Sequence, residues 1–128
     1  MPTLTNYLGS GNSPLVAQAS LGLLTASSNN LTATGSNQAG ALLLPSDFNV
    51  FGTVAASTGA ILPASGINVN ITDQYFVVNH GANALTVYPP VGGKIGTAAT
   101  NAGFSVAAGK MATFVSLGSG TWAASVSA

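Results

Sequence analysis

The sequence predicts an all-β fold: an antiparallel β-sandwich or barrel, jelly-roll-like, with an extended N-terminal arm. Three observations carry that expectation. From Ala41 onward, short apolar runs are interrupted by turn residues about every eight to twelve positions, the spacing of sandwiches and barrels. No stretch sustains the 3.6-residue periodicity of a long amphipathic helix. Charged residues are only 3% of the chain against roughly a quarter in an ordinary soluble domain, so its surface is built from Ser, Thr, Asn, Gly and Ala.

Residues 1–40 read as the arm and residues 41–128 as the β domain. The arm is rich in Ser, Asn, Gly and Thr, and its Ser27-Ser28-Asn29-Asn30 and Thr34-Gly35-Ser36-Asn37 clusters read as turns or loops. Its candidate interface residues are Leu15, Leu21, Leu23, Leu24 and Leu31. Burying each would gain about 1.5 to 3 kcal/mol, so the arm is expected to lie against something. Its own domain and a neighbouring subunit both satisfy that condition.

Ile67-Asn68-Val69-Asn70-Ile71 alternates with period two and predicts a strand with three apolar residues on one face. Gln74-Tyr75-Phe76-Val77-Val78 is apolar on both faces and reads as a central strand. Asn79 to Asn83 supplies Gly and Asn for a turn, and Ala84 to Tyr88 then reads as the hairpin partner. Pro89-Pro90 must end that strand, because neither residue donates to a ladder. Phe104-Ser105-Val106 and Met111 to Leu117 flank Ala107-Ala108-Gly109-Lys110 as a second predicted hairpin. Gly118-Ser119-Gly120 then leads into a last strand carrying Trp122 and Val126. Thr53-Val54-Ala55-Ala56 echoes Ser105-Val106-Ala107-Ala108, and similar turn chemistry accounts for the echo.

The chemistry available to this chain is small enough to name. Its charged residues are Asp47, Asp73, Lys94 and Lys110; His80 is the sole histidine, and there is no Cys, Glu or Arg. Asp47 and Asp73 each stand just before an apolar run, where aspartate caps turns. His80 is expected in an exposed turn, and no Gly-x-Ser-x-Gly elbow is present to build a serine nucleophile. Zinc needs three or four ligands of a kind that number three in the entire chain, and no oxygen-rich loop suggests calcium. Gly9-Ser10-Gly11 and Gly118-Ser119-Gly120 lack the lysine of a phosphate loop. Two lysines cannot neutralise the phosphates that nucleic-acid binding requires. The expectation is therefore a protein with no catalytic residues, no metal and no cofactor. Sugar binding by Tyr75, Tyr88, Trp122 and asparagines is a secondary possibility on composition.

Met1-Pro2-Thr3-Leu4-Thr5 carries no positive n-region, and no window reaches the roughly 18 to 20 apolar residues of a bilayer span, so no membrane partner is expected. A net charge of zero gives a free monomer little protection against association, so a homo-oligomer is the default.

The runs Val77-Val78-Asn79-His80-Gly81-Ala82-Asn83-Ala84-Leu85-Thr86-Val87-Tyr88-Pro89-Pro90-Val91-Gly92-Gly93 and Phe104-Ser105-Val106-Ala107-Ala108-Gly109-Lys110-Met111-Ala112-Thr113-Phe114-Val115 resemble a module of small tailed-bacteriophage virion proteins. Gly120-Thr121-Trp122 and Asn49 to Pro63 extend the resemblance over about residues 40 to 126. It implies a β-rich capsid decoration or cement protein on the capsid exterior, trimeric in many such roles, with itself and the major capsid protein as partners. Related modules occur in fibres, which makes a head or tail fibre with a receptor- or glycan-binding role the alternative. The family pattern brings no catalytic residues. A cement protein would work by burying apolar surface across joints between capsomers, with little dependence on salt.

Overall fold

The computed structural model describes residues 27–64 and 71–127. Within them the chain forms ten strands and one short 3-10 turn. The strands are β1 (Ser27–Thr32), β2 (Leu42–Leu43), β3 (Phe48–Thr53), β4 (Gly59–Ile61), β5 (Gln74–Asn79), β6 (Leu85–Tyr88), β7 (Lys94–Ile95), β8 (Phe104–Val106), β9 (Met111–Gly118) and β10 (Thr121–Val126). They make two facing sheets. The larger has the order β1-β3-β5-β9-β10-β7 and the smaller the order β2-β4-β6-β8.

The first six strands alternate between the two sheets, so the chain winds rather than folds back. β1, β3 and β5 pair parallel in the large sheet, and β2, β4 and β6 pair parallel in the small one. The remaining strands close this winding: β8 runs antiparallel to β6 and β9 antiparallel to β5. β10 then returns along β9 through the Gly118-Ser119-Gly120 turn and pairs parallel with β7. All three residues of that turn have positive φ (87°, 54° and 77°), which Gly118 and Gly120 accept without the Cβ penalty that Ser119 carries.

The all-β, two-sheet sandwich is thus as expected, but strand direction is mixed instead of antiparallel throughout. Neither predicted hairpin forms. β5 lies in the large sheet and β6 in the small one, and the same division separates β8 from β9. The intervening turns span the gap between layers, because the inward residues of both partners feed one core. Val77, Phe114, Leu85, Val87 and Val106 are all fully buried in a single cluster. Phe104 of the small sheet meets Phe114 of the large one edge to face, with ring centroids 5.6 Å apart. The sequence echo is a shared turn: Thr58 N–H donates to the Ala55 carbonyl at 3.2 Å, as Lys110 N–H does to Ala107 at 3.1 Å.

The arm boundary also shifts. Ser27–Thr32 is an edge strand of the large sheet, so residues 27–40 belong to the β domain. The strand's polar composition conceals it, since only Leu31 packs against the core. Of the predicted strand at Ile67–Ile71, residues 67–70 lie outside the described residues, and Ile71 sits exposed in a turn. Gln74–Asn79 is a central strand as expected, between β3 and β9.

Candidate interaction surface

The large sheet is apolar on its inner side and, along β3, β5 and β9, largely apolar on its outer side as well. Alternation along β3, β5 and β9 sends Phe51, Tyr75, Val77, Ala112 and Phe114 into the core. The intervening residues, Phe48, Val50, Phe76, Val78, Met111, Val115 and Leu117, face away from it. Strand register assembles them into rows: Phe48–Phe76–Thr113–Ser125, then Val50–Val78–Met111, and Gln74–Val115–Ala123 on the other side. Phe48 and Phe76 lie 5.8 Å apart between ring centroids on this outer side. A sheet with one solvated face normally carries polar residues there. Phe48, Met111 and Leu117 instead remain 38%, 38% and 51% exposed.

Asp47, Asp73 and Lys110 stand at the ends of the central strands β3, β5 and β9. Asp47 and Asp73 immediately precede β3 and β5, where their carbonyls accept from Phe76 N–H at 2.7 Å and Ser116 N–H at 2.8 Å. Burial, and then the charge of nearby Asp73, raise the Asp47 carboxyl above its ordinary pKa. Burial also raises the Tyr75 hydroxyl, with both aspartates adding to it. Lys110 and His80 mark the opposite end. Asn79 N–H donates to the Lys110 carbonyl and His80 N–H to the Phe51 carbonyl, each at 2.9 Å. Lys94 lies exposed on the short edge strand β7, paired with Thr121 on the outer side of the same sheet and toward the Asp73 end.

This separation bears on catalysis. Asp73 and His80 bracket β5, seven residues and about 23 Å apart along the extended strand, beyond any proton transfer. The described residues hold no group of three His, Cys, Asp or Glu able to bind a metal ion. The two aspartates come together because β3 and β5 pair in parallel, which the sequence does not announce.

The sugar-binding candidates are largely occupied by the fold. Trp122 is fully buried and meets Tyr75 edge to face at 5.6 Å. Tyr88 is half-buried on the outside of the small sheet, where its ring lies over Gly59 and Gly103. Asn49 and Asn79 are fully buried and donate to backbone carbonyls. Of the predicted interface leucines, Leu31 packs on its own core, while Leu15, Leu21, Leu23 and Leu24 lie outside the described residues.

Two depressions lie on the surface of the described residues. One of about 150 Å³, lined by Thr113, Val115, Ala123, Ala124 and Ser125, lies on the apolar face where the β10 alanines sit low beside β9. The other, about 220 Å³ at one end of the sandwich, is lined by Ala64, Pro90 to Gly93, Ser119 and Gly120, with no titratable side chain. No family model and no curated protein matches the chain.

Proposed function

We propose that this chain is a virion structural protein of a tailed bacteriophage, a capsid decoration or cement protein that acts by non-covalent contact and has no catalytic activity. The observation that carries the proposal is the second, largely apolar face of the large sheet, where none of the four charged residues stands on its central strands β3, β5 and β9. Such a face is costly to leave in water and gains roughly 25 cal/mol for each Å² of apolar area covered. The resemblance of residues 40 to 126 to phage virion modules supplies the setting: the capsid exterior, with copies of itself and the major capsid protein as partners. Many copies on one shell would repeat a weak contact until the assembly is strong, without any single tight site.

The test is co-sedimentation of the purified chain with expanded, DNA-filled heads of the phage that encodes it. Saturable binding, with heads that resist heating better when coated, is the expected result. Heads that take up none of the chain would contradict it. A head or tail fibre is the second reading, favoured by the parallel two-sheet winding of β1 to β6, a repeat geometry suited to elongated structures. That reading expects an elongated particle that attaches to host cells or their glycans.

A further inference from the structure

We infer that the free edge of β2 is the docking site of Leu21-Gly22-Leu23 of the same chain, which adds a further parallel strand to the small sheet. The inference is independent of the capsid reading: heads that take up none of the chain would leave it standing.

The argument starts from the winding. Each turn of the chain lays one strand in the small sheet and then one in the large sheet, and Leu42 of β2 stands six residues before Phe48 of β3. Leu42 and Leu44 pack on the core while Leu43 between them is 58% exposed, and residues 45–47 then cross to the large sheet. In the large sheet Phe48 is in register with Ser27 of β1, one strand further out. Six residues before Ser27 stands Leu21, so Leu21-Gly22-Leu23 repeats the spacing of Leu42-Leu43-Leu44, with leucine at both positions that point inward.

Chain length limits where those residues can go. From Leu44 to Phe48 is four residues, and from Leu23 to Ser27 is the same four. Extended, they reach about 13 Å, enough to cross between sheets packed about 10 Å apart with little to spare. Since β1 lies one strand beyond β3, a crossing of that length meets the small sheet one strand beyond β2, on the side away from β4. That edge is open among the described residues. Leu44 N–H donates to the Ile61 carbonyl of β4 at 3.1 Å, so alternation turns the N–H and carbonyl of Leu43 the other way. The core is also incompletely covered there: Leu31 of β1 and Leu42 of β2 pack against it but stay half-buried, and inward Leu21 and Leu23 would close over both. A free edge invites pairing with other chains, whereas an edge taken by the chain's own residues leaves assembly to the sheet faces.

The experiment is amide hydrogen exchange of the full chain by NMR, read at Leu43, with Leu21→Ser, Leu23→Ser and Leu24→Ser as separate variants. Leu24 takes the place of exposed Pro45 in the repeated spacing and serves as the control. In the parent chain the Leu43 amide should exchange at least about a hundredfold more slowly than in an unstructured peptide. Leu21→Ser and Leu23→Ser should each speed it at least about tenfold, and Leu24→Ser by less than about threefold. Emission of the sole tryptophan, Trp122, verifies that each variant is folded, and the parent measurement stands without them. Protection should be the same at about 10 and about 500 µM chain. Protection that vanishes on dilution places a second copy on the edge and overturns the proposal. A Leu43 amide that exchanges freely, or one indifferent to both inward substitutions, overturns it too.

Discussion

The side-chain amide of Asn79, at the end of β5 in the large sheet, donates to the Val106 carbonyl of β8 in the small sheet at 2.9 Å. The same nitrogen donates to the Asn83 carbonyl at 2.8 Å, and the side-chain oxygen accepts from Gly81 N–H at 2.9 Å. A residue in an outwardly turn-like Asn-His-Gly segment is thus a buried tie between layers. Asn79→Ala strands buried backbone groups and is expected to cost about 3 kcal/mol. Urea unfolding of the variant against the parent chain measures this, and a loss under about 1 kcal/mol would contradict the assignment.

A close approach in the small sheet gives a second expectation. A Cβ on Gly59 would stand 2.5 Å from the Thr86 carbonyl oxygen and 2.9 Å from the Tyr88 ring. The oxygen belongs to the adjoining strand and cannot move away without disturbing the ladder. Gly59→Ala should therefore destabilise by about 2 kcal/mol, although alanine is otherwise better tolerated than glycine in ordered structure. Thermal unfolding followed by circular dichroism is the measurement.

Asp47 confers a pH dependence whose sign follows from its environment. Burial and the charge of Asp73 raise its pKa in the folded chain above the ordinary 3.8. Between those two values the folded state holds the proton while the unfolded state has lost it, so stability falls as pH rises through this window and is level above it. Asp47→Asn should remove that decline and leave the variant more stable than the parent at neutral pH, with the two converging in acid. Urea unfolding of dilute, monomeric protein between about pH 3 and pH 7 checks the curve. Asp73→Asn should diminish the decline, since it removes the smaller of the two causes.

Trp122 offers a direct report on the core. It is fully buried beneath β10 and stacked edge to face on Tyr75. Emission should be blue-shifted and resistant to iodide in the folded chain, turning red and quenchable in denaturant. Trp122→Ala should cost about 4 kcal/mol through the cavity it leaves.

β5, β6, β8, β9 and β10 were legible because burial imposes period two, and the double-sided run at Gln74–Val78 announced a central strand; the short strands β2, β4 and β7 are too brief to show a period. Pro89-Pro90 ended β6 as its chemistry requires. Strand direction was not legible: a short Gly- and Asn-containing segment such as Asn79 to Asn83 can reverse within a sheet or cross to the next one. β1 went unread because an edge strand with one inward leucine resembles a loop. Alternation exposed the reactive residues individually, but the proximity of Asp47 to Asp73 depends on β3 lying beside β5, a long-range pairing. The apolar outer face was visible only once β3, β5 and β9 were adjacent, since each strand alone contributes just a few of its residues.

The most direct test of the central claim, that the outer face of the large sheet is a protein contact surface in an assembled virion, is a reconstruction of the intact particle at a resolution that separates strands. The account predicts many copies on the head exterior, with Phe76 and Val115 buried against another protein subunit. A particle that lacks the chain, or carries it with those residues open to solvent, would contradict the account.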